Sequence, residues 1–183
     1  GYKSLCTYNL PAASITNGAQ YMAATTYTGT GAAQSIANTV VNASFQPDFV
    51  WIKSRSNAYS HGLYDSVRGA TLKLSSNSTS AEVTDSAGLT AFNSTGFTLG
   101  SDAGVNGSGS TFVGWQWKAG GTAVTNTEGS ITAQVSANPT AGFSIVTLTG
   151  PSSGAFTAGH GLGVAPSMII AKVRTTSGGW PEI

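Results

Sequence analysis

Seven Asp/Glu, eight Lys/Arg, two His and one Cys are all that this 183-residue chain offers for acid–base, nucleophilic or metal chemistry. The densest gathering is His61, Asp65 and Arg68, with Lys53 and Arg55 at the end of the apolar run Phe49–Ile52. A histidine, a carboxylate and a guanidinium brought together would make a polar pocket for a sugar or a carboxylate. The competing reading is a structural ion pair or hydrogen-bond network, in which Asp65 meets Arg55 or Arg68 and ties a strand end to a loop. The second reading is the stronger. Lys53 and Arg55 recur as Lys172 and Arg174, whereas the position of His61 corresponds to Trp180. A Lys-x-Arg that recurs at a strand end belongs to scaffold rather than to one unique active site.

Other chemistries lack their residues. His160 sits in GHGLG, but zinc takes about four ligands and His61 is the only other histidine. Asp102 and Asn106 faintly resemble a calcium loop without its repeated acidic positions and final Glu, so loop chemistry explains them better. Glycosidases need two carboxylates on facing walls, and no pair stands out. Gly107-Ser108-Gly109 is a loop and not the strand-to-helix turn of a nucleophile elbow, and no phosphate-binding G-x-x-x-x-G-K-[ST] occurs. We therefore assign no catalytic residue, metal or cofactor. Cys6 reads as a small buried apolar residue, and one cysteine allows no intrachain disulfide. The sequons at Asn42, Asn77, Asn93 and Asn106 are what so Ser/Thr/Asn-rich a chain gives by chance.

The tryptophans invite a different function. Aromatic faces stack on the apolar faces of sugars, and Trp anchors interfaces. On the strand TFVGWQWK (111–118), Phe112, Gly114 and Gln116 share one face, and Val113, Trp115 and Trp117 the other. Trp115 and Trp117 therefore point the same way, as a glycan platform requires. A core-facing strand shows the same alternation, so we favour core or subunit interface over a ligand platform. The possible glycan or interface contacts are Trp115, Trp117, His61, Asp65 and Arg68.

The elements that must position these residues are strands. Charged residues make up 8% of the chain against a typical share of about 25%. The net charge of +1 supplies no field to draw the protein to nucleic acid, membrane or an acidic partner. Twenty-four glycines with abundant Ser, Thr and Asn disfavour helix and favour turns. The apolar runs are rich in strand formers. Few Lys and Glu are present to guard sheet edges, which predicts edges buried between subunits. The absence of disulfides fits assembly in a reducing cytoplasm, as for virus particles. No secretory signal and no apolar run of membrane-spanning length is visible.

Strands are expected over Tyr21–Tyr27, Ser35–Val41, Phe49–Ser54, His61–Val67, Thr71–Ser75, Leu89–Asn93, Gly96–Gly100 and Thr111–Lys118, with Asn93–Gly96 as a hairpin turn. The run Phe49–Ile52 predicts burial on both faces. Ser78–Ala87 reads as a loop or short helical turn, and Ser101–Ser110 as a flexible loop. Ser130–Val135, Phe143–Thr149 and Ser167–Val173 are further strand candidates. The chain also repeats itself. TYTG (26–29) recurs as TLTG (147–150), and FQPDFVWIKSR (45–55) as VAPSMIIAKVR (164–174). The Pro, Lys and Arg keep one offset (166−47, 172−53 and 174−55 are each 119), and the TG pair is offset by 121 (149−28). The expectation is an all-β, antiparallel sandwich or jelly-roll-like domain with the start of a second copy. Residues 1–20 form a linker from an upstream domain, 21–122 the sandwich, 123–141 a connector, and 142–183 the first strands of the second copy. That organisation suggests a piece of a longer modular protein.

The segments GYKSLCTYNLP, TYTGTG, FQPDFVWIKSRS, HGLYDSVRGA, LTAFNSTGFTLGS and FVGWQWKAGGTAVTNT resemble a family of virion proteins of marine and cyanobacterial bacteriophages, often tail-fibre or other structural proteins. The resemblance spans nearly the whole chain and departs at Tyr8, where that family more often has Ala. It implies a non-enzymatic role in a virion, exposed on the particle and engaged in host attachment as a tail-fibre or surface-appendage module. It carries over no catalytic residue. The expected partners are other virion proteins, a host-surface glycan, and further copies of the chain, with a homotrimer favoured by the unguarded sheet edges and the fibre-like modularity. Nucleic acid binding and membrane insertion are not expected. The alternatives are a capsid decoration or turret protein and a carbohydrate-binding module of a secreted protein. A polysaccharide depolymerase ranks third, because carboxylates are so few.

Overall fold

The computed structural model describes residues 15–38 and 44–180 and is built almost wholly of antiparallel strands. A 3-10 turn at Gly18–Gln20, capped by the Asn17 side chain on the Ala19 N–H, leads into β1 (Met22–Thr28). β2 (Gln34–Ala37), β3 (Phe49–Ser54), β4 (Gly62–Asp65), β5 (Gly69–Leu74) and β6 (Val83–Thr84) follow. β7 (Leu89–Asn93) and β8 (Gly96–Leu99) form the expected hairpin across Ser94 and Thr95. A one-turn helix α1 (Ala103–Asn106) precedes β9 (Thr111–Trp117). β10 (Val124–Asn126), β11 (Ala133–Asn138) and β12 (Phe143–Leu148) complete the set.

Six strands in the order β1-β9-β3-β4-β5-β6 make the main sheet, and β2-β8-β7 make the smaller sheet. Between them lies one core of Ile36, Val50, Ile52, Tyr64, Leu89, Phe97, Leu99, Val105 and Phe112. The alternation of β3 and β9 produces it: Val50 and Ile52 point inward together with Phe112, Gly114 and Gln116. Gly114 is glycine because Phe97 from the opposite sheet fills the space above it; a Cβ there would stand 3.1 Å from the Phe97 ring. Gly96 has the positive φ of 152°, and a Cβ there would fall 2.0 Å from the Ile36 carbonyl oxygen where β8 meets β2. The fold is thus all-β and sandwich-like, as the composition required.

Several local expectations change. β3 is fully buried on its core face only, because Phe49, Trp51 and Lys53 lie half-buried on the opposite face. The loop 101–110 is ordered by Asn106. Its amide donates to the carbonyls of Ala32 and Gly100, and its oxygen accepts from the Thr30 N–H and the Gln34 amide. Asn106 is wholly buried and fully engaged, so this sequon presents no glycosylation acceptor on the folded surface. Ser78–Ala87 holds the short β6. The connector 123–141 contains β10 and β11, which pair with β12 as a third sheet, β10-β11-β12. Ser167–Val173 forms no strand and carries a single β-bridge residue, Ile170. Cys6, Asn42 and most of the lead-in segment lie outside the described residues.

Candidate functional site

The residues singled out in sequence separate into two places. β4 holds them apart: His61 precedes it at one end and Asp65 closes it at the other. Asp65 and Arg68 belong to an ion network. One Asp65 oxygen accepts the N–H groups of Val67 (3.1 Å) and Arg68 (2.8 Å), closing the turn, and the other accepts the Arg68 Nε. Arg68 Nη2 donates to the Leu63 carbonyl, and Nη1 reaches Glu82 Oε2 at 2.8 Å. Glu82 also accepts Arg174 on both oxygens, from Nε at 2.9 Å and Nη2 at 2.7 Å. Burial alone would raise the Glu82 pKa, but the hydrogen bonds and charges of Arg174 and Arg68 outweigh it and hold the carboxyl below its ordinary 4.5. Arg55 takes no part; its side chain is exposed, and its N–H donates to the Thr111 carbonyl. The pocket reading of His61, Asp65 and Arg68 therefore gives way to the structural one. Every polar atom of Asp65 is turned onto the protein.

His61 joins the aromatic residues instead. The Trp51 indole N–H donates to His61 Nδ1 at 2.7 Å, with the two rings edge to face at 5.7 Å. Burial, aided by the Lys53 charge, lowers the His61 pKa below 6.5, so the ring stays neutral and keeps its acceptor. The cross-strand register sets Ala24, Trp115, Trp51 and Leu63 in one row across β1, β9, β3 and β4. The adjacent row is Met22, Trp117, Phe49 and Asp65. Trp51 and Trp115 meet edge to face at 6.3 Å. Trp117 packs on Phe49 at 5.4 Å and stacks with Phe143 of β12 at 6.2 Å. Trp115 and Trp117 thus face away from the core, half-buried on the outer face of the main sheet. Alternation reveals that two faces exist without saying which is inward. Here Phe97 needs the room above Gly114, so the tryptophan face turns out. The third sheet covers one half of the aromatic surface through Phe143, while exposed Ala24 and Thr26 border the Trp115 half.

Two polar clusters carried too weak a sequence signal to be found. Asp48 is 2% exposed. Its carboxylate accepts the Ser66 hydroxyl and the N–H groups of Ala119 and Gly121, which binds the start of β3 to the chain leaving β9. Lys73 bridges Asp85 at 3.1 Å and Asp102 at 2.9 Å, and the Tyr64 hydroxyl donates to Asp85 at 3.1 Å. Burial pulls the Lys73 pKa down, yet the bonds and charges of Asp102 and Asp85 leave it raised. An ammonium held charged between two carboxylates is a poor nucleophile, so this cluster reads as an internal ion pair. Asp102 also caps α1 on the Gly104 N–H. His160 accepts the Leu162 N–H at Nδ1, and among the described residues no three metal-ligating side chains converge.

With the architecture and its outer aromatic face defined, comparison with known families has one result. The profile of the domain of unknown function DUF7483 matches residues 17–181. The chain belongs to this family. The matched range covers both the sandwich and the third sheet. No curated protein and no solved structure matches the chain.

Proposed function

We propose that this DUF7483 chain is a non-enzymatic structural module of a bacteriophage virion, most consistent with a tail fibre or surface appendage that contacts the host. The motif resemblance described above supports the virion setting. The observation that carries the contact role is the aromatic outer face. Trp51 and Trp115 lie on the opposite side of the sheet from a core that is complete without them. Trp51 has Lys53 and His61 beside it on this face, and exposed Ala24 and Thr26 border Trp115, so one cation and few other polar groups adjoin the rings. Such a module binds weakly one copy at a time, and a homotrimer or a repeated array multiplies weak contacts into useful avidity.

Two measurements test this reading. Peptides of the chain should be found by mass spectrometry in purified phage particles, at a surface that antibodies against the module decorate. Absence from the particle overturns the virion assignment, and decoration of the capsid and not of a tail structure favours a decoration or turret protein. The second reading, a carbohydrate-binding module of a secreted protein, rests on the same aromatic face. It gains if glycan-array binding is lost in Trp51→Ala/Trp115→Ala while no particle contains the chain. A stable monomer in a solution mass measurement of the full-length protein would remove the trimer.

A further inference from the structure

Lys53 stands beside the aromatic row with its charge uncancelled. Trp51 and Lys53 alternate onto the same outer face of β3, about 7 Å apart along the strand. The register sets Thr26, Val113 and Lys53 in one row, next to the row of Ala24, Trp115 and Trp51. The ammonium is held in place: Nζ donates to the Ser54 carbonyl at 2.8 Å and to the Asn57 carbonyl at 3.3 Å. Carbonyls fix its position without neutralising it, and a third N–H remains for a ligand. Among the described residues no carboxylate comes within ion-pairing distance of it. Asp65, Glu82, Asp85 and Asp102 pair with Arg68, Lys73 or Arg174, and Asp48 accepts backbone N–H groups.

His61 is a second donor at this place. Its Nδ1 accepts the Trp51 indole N–H, so the neutral ring carries its proton on Nε2 and can donate it. The Lys53 charge adds to burial in lowering the His61 pKa, which places the ammonium within electrostatic reach of the imidazole. The Trp51 and Trp115 rings meet at 78°, a corner instead of a flat platform. Exposed Ala24 and Thr26 of β1 leave room beside it.

The repeat isolates what is particular to this corner. Ile170 stands where β3 has Trp51, and Trp180 where His61 precedes β4 (170−51 and 180−61 are each 119). Lys172 bonds the next carbonyl as Lys53 does, that of Val173 at 3.0 Å. Holding the strand end is therefore the part both copies share. The second copy turns its counterparts onto the 75–82 loop: Lys172 donates to the Thr79 carbonyl, and the Trp180 indole to the carbonyls of Ser75 and Ser78. The first copy keeps its cation and rings on the outer face of the sheet.

We infer that the Trp51–Trp115 corner takes an acidic glycan, with a pyranose ring against the indoles and a sugar carboxylate on Lys53 Nζ. The assignment rests on the reading of this face as a host contact and adds the chemical class of the ligand. An indole packs on the apolar face of a sugar ring. The ammonium is a point charge suited to a carboxylate. His61 Nε2 donates to a ring hydroxyl. A neutral sugar would use the rings and leave Lys53 without a role.

The test offers the full chain a panel of uronic-acid oligosaccharides, each beside the form whose carboxylates are reduced to alcohols, and follows binding by ligand-observed NMR. The acidic form should bind roughly two- to five-fold tighter than its reduced partner, the range of a partly exposed ion pair. The gap should close as salt approaches about 1 M, where screening acts within about 3 Å. Lys53→Met should remove the gap and leave the reduced forms bound as before. Lys53→Arg should keep it, which separates charge from any loosening of the 54–57 turn. Trp51→Ala/Trp115→Ala should abolish binding of both forms; binding that persists there overturns the location. Equal binding of the two forms by the native chain, or a gap that survives in Lys53→Met, overturns the acidic-glycan assignment and leaves the aromatic contact standing. Failure of every member of the panel in both forms overturns the contact reading as well.

Discussion

One pattern, a proline followed by an apolar run and Lys-x-Arg, has two fates in this molecule. At 47–55 it is β3, flanked by β9 and β4 and roofed by the second sheet. At 166–174 it is an exposed strap fastened to the 75–82 loop by its end. The difference lies in what surrounds each copy, since the residues of both suit a strand. β3 contributes Val50 and Ile52 to a shared core, and β9 and β4 satisfy its backbone. The strap belongs to no named strand and carries a single bridge residue, Ile170, and among the described residues no layer buries its Met168, Ile169 and Ile170 side chains.

The sharpest way to break this comparison is to truncate one side chain in each copy. Ile52→Ala should cost about 2–5 kcal/mol, the range for opening a cavity in a packed core. Ile169→Ala should change stability by less than about 0.5 kcal/mol, as exposed positions do. Urea denaturation followed by far-UV circular dichroism measures both. Equal losses would mean that the strap is buried in solution, and the contrast would be lost.

A smaller effect concerns the joint between the two regions. Asp48→Ala removes the carboxylate that receives the Ala119 and Gly121 N–H groups and the Ser66 hydroxyl. Leaving such buried donors unpaired costs about 1–3 kcal/mol. Hydrogen exchange should speed up first at 119–121, ahead of β3 and β9. Unchanged exchange there would show that the joint is held by other contacts, with Phe143 on Trp117 the leading one.

These contrasts also explain how much the sequence revealed. β3, β9 and the β7–β8 hairpin were legible because period-two patterning and turn residues are local signals. The repeat was legible for the same reason. The outward orientation of Trp115 and Trp117 was hidden, since it depends on Phe97 meeting Gly114 across the sandwich. Asp65 with Arg68 was foreseeable at a separation of three residues. Glu82 was not, standing 14 residues from Arg68 and 92 from Arg174. Within 123–141 the candidate Ser130–Val135 found β11 three residues too early, whereas β10 was hidden by Gly, Thr and Ser content that reads as linker until β11 supplies a template for pairing.

Acid should release the strap before it harms the sandwich. The Glu82 pKa lies below 4.5 in the folded chain. Its ion pairs are therefore fully present above pH 4.5 and are lost as pH falls through the lower folded value. The effect on global stability should stay under about 1 kcal/mol, because Arg174 is partly exposed and the pair is screened. The local effect is larger: exchange at 172–180 should rise on acidification while that of β3 stays slow. Glu82→Gln should show the fast exchange already at neutral pH. A pH-independent strap would mean that Trp180 and the backbone bonds hold it alone.

The smallest predicted effect belongs to the other end of β4. Trp51 donates to His61 Nδ1, which only an imidazole without a proton on that nitrogen can accept. The folded His61 pKa lies below 6.5 because of burial and the nearby Lys53 charge. A depressed histidine pKa stabilises the fold fully above 6.5 and loses that contribution as pH falls through the folded value. The size should be about 0.5 kcal/mol, the low end for a single hydrogen bond with half-exposed partners. The readout is the stability difference between pH 7.5 and pH 5 in the native chain, set against His61→Gln, whose side-chain oxygen accepts a hydrogen bond at both values. The native chain should lose stability and the variant should not. Protonation should also swing the imidazole away from the indole and change Trp51 fluorescence over the same pH interval. Equal pH dependence in both proteins would mean that this pair does not sense pH. If His61 alone senses it, the outer aromatic face responds to mild acid while the Glu82 strap at the opposite end of β4 stays fastened until the pH is far lower.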